Sequence, residues 1–571
     1  MPELTIDGQR VEVADGATVL DAARALGIAI PALCHRDGFA PSTSCMVCVV
    51  KDVRTGRLIP SCTAPAADGM EIESETDEVR AARRQALELL LSDHPADCLA
   101  PCETICPAGM AIPRMIRQII AGDARAAAAT ARAALVLPAT LGRICPAPCE
   151  KGCRRALHDA PVAIRLLHRF AADADLAEGD PDLPPRGGGE IPLGGGEIPR
   201  GGPPGPPRHD EKAGASAAGQ EARRAEDEEE IRRAEPGVSG KRVAVVGAGP
   251  AGLSAAWHLL RAGHAVTVLD DHDAAGGALR YAVDADRLPP EVLRAEVALI
   301  ERLGAAFRLG TRVGRDVGLD DLAAEFDAVL VAVGSLDRTD PGALGLPIGQ
   351  HGLEVDADTY RTATAGVFAA GGAVRPRKMA VRAVADGAAA AACIRQYLAG
   401  ETVSAPGRPF TTRLGRPEAD ELAEFVATAS ADGRVEPAGS ESAGFTADEA
   451  AREAPRCLHC DCRAADACLL RYWSDRYGAK AGPHTGIRRQ VRIHDRHPDI
   501  VQEPGKCISC GLCVQVCERR RERLGLAFIG RGFDVRVGVP FDESIADALA
   551  EAARECAAVC PTGAIALKDE A

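Results

Sequence analysis

Apolar and polar residues alternate over 4–13 (LTIDGQRVEV), and the Asp-Gly pair in the middle predicts a β-hairpin with a tight turn. Thr18 stands where a helix N-cap belongs, with helical apolar spacing through Leu26. The same spacing recurs from Glu78 to Leu91 and over 109–135, the latter Ala-rich after Asp123. The pattern breaks at 177–240. GGGEIP occurs twice there, at 187–192 and 194–199, followed by GGPPGPP and the charged run EARRAEDEEEIRRAE. Gly, Pro and dense charge cannot bury enough apolar surface to order themselves. A flexible linker is predicted over 177–215, with an exposed helix at 220–234. KRVAVVGAG (241–249) reads as a buried strand opening an α/β module that reaches to about residue 400, and a cysteine-rich third follows.

A chain of 571 residues is too long for one hydrophobic core, so about three to five modules are expected. The 82 acidic residues outnumber the 67 basic ones, which argues against a nucleic-acid or anionic-membrane surface. No apolar run has the length of a membrane span, and MPELTIDGQRVEV lacks the basic-then-apolar order of a signal peptide, so a cytoplasmic location is expected.

Cysteine changes the picture. Of 21, all but Cys393 fall into tight groups at 34–62, 98–153, 457–468, 507–517 and 556–560. Disulfides fit poorly in a large chain with no export signal. Short Cys-x2-Cys and Cys-x3-Cys spacings instead place thiolates close enough to share a metal centre, with iron–sulfur clusters favoured over structural zinc.

Cys34, Cys45, Cys48 and Cys62 follow C-x10-C-x2-C-x13-C, three ligands on one irregular loop and a fourth from a following strand. This arrangement suits a [2Fe-2S] centre, and it resembles the N-terminal domain of the large iron–sulfur subunit of respiratory complex I and related hydrogenase subunits. The segment His94-Pro-Ala-Asp-Cys98 resembles the His-x3-Cys start of the next complex I cluster, in which histidine is a ligand. Beyond it, C98-x3-C102-x3-C106-P, CPAGMAIPRM (106–115), GRICPAPCEKGC (142–153) and APVAIRLLHRF (160–170) resemble the N-terminal domain of the glutamate synthase small subunit and dihydropyrimidine dehydrogenase. That resemblance implies two [4Fe-4S] clusters with interleaved ligands: Cys98, Cys102 and Cys153 for one, Cys106, Cys145 and Cys149 for the other. Each set is one ligand short. The family places a polar side chain seven residues after a proline, which from Pro161 is His168, and His94 is the nearby candidate for the first set. A lone histidine is more often a helix-end or core residue than a ligand.

Gly247-x-Gly249-x-x-Gly252 directly follows the buried strand and opens a helix through Pro250 and Ala251. Glycines there allow the tight turn and the backbone approach to a pyrophosphate, while the helix N-terminus favours negative charge. Asp270 closes the next strand, where a carboxylate holds a ribose diol. With GGALRYAVDADRLPPEV from Gly276–Gly277, FDAVLVAVGS containing Gly334, and GVFAAGG ending in Gly371 and Gly372, the module resembles the FAD domain of the glutamate synthase small subunit family. Two departures stand out: the family's aspartate at the end of the last segment is here Gly372, and only about thirty residues separate Gly334 from Gly366, where the family carries a whole NAD(P) domain. Nicotinamide binding in the usual way is therefore not expected.

Cys457, Cys460, Cys462 and Cys468 are compact enough for one [4Fe-4S] cluster, with zinc as the alternative. C507-x2-C510-x2-C513-x3-C517 resembles a bacterial ferredoxin run. Its companion offers only Cys556 and Cys560, with Ala550 and Ala553 where further thiolates would fall. One cluster survives, on Cys507, Cys510, Cys513 and Cys560. Cys517 and Cys556 are left side by side, and the second cluster is read as lost.

The expected chain is thus multi-domain, α+β and α/β. It comprises a β-grasp ferredoxin domain (1–77), a helical double-[4Fe-4S] domain (78–176), the linker (177–240), a Rossmann-like FAD domain (241–400), a connecting segment with cysteines (401–490) and a C-terminal ferredoxin-like domain (491–571). FAD, one [2Fe-2S] and three to four [4Fe-4S] clusters make an electron relay. The expected role is an electron-transfer subunit whose partners carry an NADH/FMN diaphorase, hydrogenase or formate dehydrogenase site. The alternative is a stand-alone flavin-dependent reductase. No hydrolytic constellation stands out.

Overall fold

The computed structural model describes residues 1–179, 240–336, 344–484, 486 and 488–568, so the linker expected at 177–240 and its helix at 220–234 lie almost wholly outside the described residues. A mixed five-stranded sheet of order β2-β1-β5-β3-β4 opens the chain, from β1 (Glu3–Ile6), β2 (Gln9–Glu12), β3 (Val49–Asp52), β4 (Arg57–Pro60) and β5 (Glu71–Glu73). Ile6 pairs with Gln9 across the hairpin, and the two turn residues Asp7 and Gly8 both have positive φ (49° and 77°), the geometry an Asp-Gly turn provides. The helix Val19–Ala25 starts at Thr18, whose side chain and that of Asp21 reciprocally cap each other's backbone N–H. Its buried residues Val19, Leu20, Ala22 and Ala23 pack with Leu4 and Ile6 of β1.

Helices dominate from 77 to 177. Asp77–Ser92 is followed by Ile112–Ile120, Ala124–Leu135, Pro138–Ile144 and Ile164–Ala177. The continuous helix expected over 109–135 is broken. Gly122 turns the chain at φ 79°, and Asp123 caps a new helix by accepting from Ala126 N at 2.8 Å. The α/β module holds an all-parallel sheet of order β10-β9-β6-β7-β8, from β6 (Arg242–Val246), β7 (Ala265–Leu269), β8 (Ala306–Arg308), β9 (Ala328–Val331) and β10 (Val367–Ala369). The C-terminal region pairs β11 (Ile500–Gln502) with β14 (Ile565–Leu567) and β12 (Ala527–Ile529) with β13 (Arg536–Gly538), around helices Leu512–Arg520 and Ala553–Val559.

The buried residues divide differently from the chain order. One core runs from Ala100 through the helices, the parallel sheet and on to Cys457. Another joins Leu33, Cys34 and Cys45 of the N-terminal loop, Leu87 and Leu91, Trp473 and Tyr477, and the C-terminal residues through Ile565. Arg83, with a fully buried side chain, ties the second core together: Nε donates to the Val49 carbonyl at 3.0 Å and a terminal nitrogen to Tyr477 Oη at 2.7 Å. Between Leu91 and Cys468 the chain touches this core through Phe410, and Cys462 N–H donates to the Cys98 carbonyl at 3.2 Å where the two flanking stretches meet.

Candidate metal centres and nucleotide cradle

The cysteine loops are wound so that backbone N–H groups face sulfur. Ser509 N donates to Cys507 Sγ at 3.3 Å, His459 N reaches Cys457 Sγ at 3.5 Å, and Arg471 N reaches Cys468 Sγ at 3.4 Å. Such turns need left-handed residues. Thr43, Met46, Ala147, His459 and Ser509, none of them glycine, all have positive φ and all lie in cysteine loops.

The thiols gather into discrete groups. Cys34, Cys45, Cys48 and Cys62 are buried and linked by sulfur–sulfur contacts of Cys34 with Cys45 and Cys62 and of Cys48 with Cys62. Cys507, Cys510, Cys513 and Cys560 line one cavity, while Cys517 and Cys556 stand apart with their sulfurs 3.9 Å from each other, where the sequence reading left them. Cys106, Cys145 and Cys149 lie within electrostatic reach of one another, as the interleaved set requires.

The remaining thiols regroup. The expected set Cys98, Cys102 and Cys153 does not form. Cys102 and Cys153 line a cavity with Cys457 and Cys460, whereas Cys98 lies with Cys462 and Cys468. The compact run 457–468, expected to form one iron–sulfur or zinc site, is divided between two groups of thiols. The reason is the return of the chain at Cys462 onto Cys98, which faces alternate halves of the run to different partners. The signal in the sequence was that both three-residue sets lacked a ligand, although nothing local pointed to partners so far along the chain.

His94 is half-buried, and desolvation together with nearby Lys506 and Arg489 lowers it to about 3, so its imidazole is neutral, as a ligand must be. Lys506 also neighbours Cys462, which puts His94 on the same side as the Cys98, Cys462 and Cys468 group. His168 is held neutral by burial; its ring donates to the Pro138 carbonyl and its Nδ1 has no hydrogen-bond partner.

These groups fit iron–sulfur clusters. Burial above all, with neighbouring sulfur charge and, at Cys462, Glu503 adding to it, pushes the Cys460 and Cys510 thiols up to about 12 and Cys462 to about 11. Four such sulfurs cannot ionise together unless positive charge sits among them, and a metal centre supplies it.

The thiol groups also follow one another in space. Cys149 is within reach of Cys102; Cys460 and Cys462 flank Asp461 on one loop; Cys468 is within reach of Cys560, and Cys510 of Cys34. Ser42 Oγ donates to the Cys510 carbonyl at 2.6 Å, and Ala40 and Gln515 exchange two hydrogen bonds at 2.9 Å, closing the last of these junctions.

The glycine-rich loop sits between β6 and helix Pro250–Arg261. A Cβ on Gly247 (φ 111°) would meet the Ala332 carbonyl at 2.4 Å, and one on Gly252 the Gly247 carbonyl at 1.8 Å, so both are needed for the turn itself. Gly249 is different: the nearest atom to its Cβ position is the Gly277 Cα at 4.0 Å, which leaves open space where a pyrophosphate approaches. Gly371 packs on Ala251, and a Cβ on Gly372 would lie 3.1 Å from the Gly334 backbone. Asp270 Oδ2 accepts from Ala248 N at 2.6 Å, and Oδ1 accepts from His272 N at 3.0 Å and lies 2.9 Å from His272 Nδ1, so the carboxylate braces the loop. The cradle fits a dinucleotide. Among the described residues no further α/β unit stands between β9 and β10.

Family models match four stretches: a 2Fe-2S iron-sulfur cluster binding domain at 2–77, dihydropyrimidine dehydrogenase domain II with a 4Fe-4S cluster at 76–180, pyridine nucleotide-disulphide oxidoreductase at 201–387, and a 4Fe-4S single cluster domain at 500–567. The chain is built of iron–sulfur and oxidoreductase domains. Its relatives include the NADP(+)-dependent formate dehydrogenase subunit beta of Moorella thermoacetica, 38% identical over 254 residues, 44% of this chain and 32% of that one. The NAD-dependent dihydropyrimidine dehydrogenase subunit PreT of Escherichia coli K12 is 31% identical over 46% of this chain and 52% of its own length. The NADP-reducing hydrogenase subunit HndD of Solidesulfovibrio fructosivorans is 47% identical over 104 residues, 17% of this chain and 18% of its own. The chain therefore spans about half or less of these relatives. The resemblance to glutamate synthase small subunits is borne out, with 31% identity over 269 residues to the small chain of Mycobacterium tuberculosis. No helix among the described residues is long and apolar enough to cross a membrane.

Proposed function

We propose that this chain is the electron-transfer subunit of a multi-subunit cytoplasmic oxidoreductase, relaying electrons between FAD at one end and a [2Fe-2S] centre at the other. FAD would lie over Gly249, between the loop Gly247–Gly252 and the segment Gly371–Gly372, and the [2Fe-2S] centre would be held by Cys34, Cys45, Cys48 and Cys62. Four [4Fe-4S] centres would lie between: Cys106, Cys145, Cys149 with His168; Cys102, Cys153, Cys457 and Cys460; His94, Cys98, Cys462 and Cys468; and Cys507, Cys510, Cys513 and Cys560. The N-terminal, helical and C-terminal modules are read as β-grasp, double-cluster and ferredoxin-like folds, with a Rossmann-like FAD module. Flavin takes up an electron pair and passes on single electrons, the currency of iron–sulfur centres.

The observation that carries this reading is the unbroken succession of thiol groups from Cys106, Cys145 and Cys149 to Cys34. The protein's own part is to hold the centres in line and in low-polarity surroundings. The names of the formate dehydrogenase and hydrogenase relatives support a partner of one of those types. The test is anaerobic purification with iron, flavin and EPR analysis, and identification of the subunits that come with the chain. Flavin bleaching by NADH or NADPH in the chain alone would instead favour a stand-alone reductase, and absence of iron would end the relay reading.

A further inference from the structure

Arg36 lies two residues beyond Cys34 on the N-terminal loop, partly buried where that loop meets the C-terminal region. Its guanidinium is within electrostatic reach of Cys560 and Cys510, the thiols of the neighbouring group. No carboxylate among the described residues forms an ion pair with Arg36, and its Nε is buried without a hydrogen-bond partner. Arg24, by contrast, pairs with both Asp21 and Asp37. A half-buried guanidinium with its Nε shut away from water and no carboxylate partner is costly, and a nearby anion offsets that cost. The four thiolates of Cys507, Cys510, Cys513 and Cys560 supply it once they are ligated: a [4Fe-4S] core does not fully neutralise four sulfur charges, and the centre stays net anionic.

We infer that Arg36, contributed by the [2Fe-2S] domain, is the electrostatic counter-charge of the C-terminal [4Fe-4S] centre and raises its reduction potential, so that docking of the two domains tunes the last step of the relay. The inference rests on the relay reading. Arg36 is a positioning residue: it ligates nothing, and it acts by favouring the extra electron on the neighbouring centre. A nearby positive charge stabilises the reduced form over the oxidised one, so its loss lowers the potential.

The test is an EPR-monitored redox titration of the full-length, iron-loaded protein in wild-type, Arg36→Gln and Arg36→Lys forms, the relevant signal being identified by its loss in Cys513→Ala. Arg36→Gln is expected to weaken reduction of this centre about tenfold, ~59 mV for a one-electron couple. Arg36→Lys should stay within about twofold, ~18 mV, and the centre at Cys102, Cys153, Cys457 and Cys460 should not move. Loss of the C-terminal centre in Arg36→Gln alone, with Arg36→Lys still loaded, also supports the inference. An unchanged midpoint in Arg36→Gln, equal shifts in both variants, or loss of the centre in both would overturn it. A wild-type chain with no iron signal at all would defeat the relay reading instead.

Discussion

The regrouping of thiols makes a test that no assignment from spacing shares. If Cys98 and Cys462 serve one centre, removing either removes the same four irons, and removing both removes no more. A fully loaded chain would carry about 18 iron atoms, counting one two-iron and four four-iron centres. Cys98→Ala, Cys462→Ala and the double variant should each fall to about 14, with one and the same EPR component missing. Cys98→Ala combined with Cys102→Ala should fall to about 10, because the structure puts those two cysteines in different centres although only three residues separate them. The assay is iron analysis with EPR on anaerobically reconstituted protein. Were Cys98→Ala and Cys102→Ala to remove a common centre, or Cys98→Ala and Cys462→Ala two separate ones, the grouping would be refuted.

The glycine-rich loop predicts a contrast: Gly252→Ala should abolish folding of the parallel-sheet module, whereas Gly249→Ala should leave near-native circular dichroism but strip flavin absorbance. Glu296, from helix Pro290–Arg302, accepts from Ala139 N at 2.7 Å and Thr140 N at 2.8 Å and so caps helix Pro138–Ile144 across the module boundary. Glu296→Ala leaves two buried N–H groups unpaired and should cost about 2–4 kcal/mol in denaturant unfolding. Burial also raises this carboxyl from 4.5 to about 7, so the folded chain holds a proton that the unfolded chain releases. Stability from this group is then full below the lower value and falls as pH rises to about 7, by about 3 kcal/mol at most, and Glu296→Gln should flatten that slope. His168→Ala should remove the EPR component of the Cys106, Cys145 and Cys149 centre while His168→Gln retains part of it; a full iron count in the alanine variant would show that another ligand completes the centre.

Where the determining contacts are local, the sequence was readable. Asp7-Gly8 and the Thr18 cap act within four residues, and the Gly247–Gly252 loop acts between one strand and the helix that follows it. The C-terminal ferredoxin run could be completed by Cys560 because its pattern is nearly self-contained. The middle centres were not readable, because a thiol's spacing to its sequence neighbours says nothing about which thiols a distant loop brings against it. Cys460 and Cys462 are neighbours in the chain and serve different groups, while Cys98 and Cys462 serve the same one across an entire module. The helix break at Gly122–Asp123 was visible in its residues, a glycine followed by a capping aspartate, but the Ala-rich helical pattern continued on both sides and masked it.

The hydrogen bond between Cys462 N–H and the Cys98 carbonyl belongs to a longer seam, in which Leu414 N–H donates to Asp97 at 3.1 Å and Arg488 and Arg492 pair with Glu421 and Glu424. A segment fastened at its exit as well as its entrance keeps the thiols at its two ends in register, whatever the distance between them along the sequence.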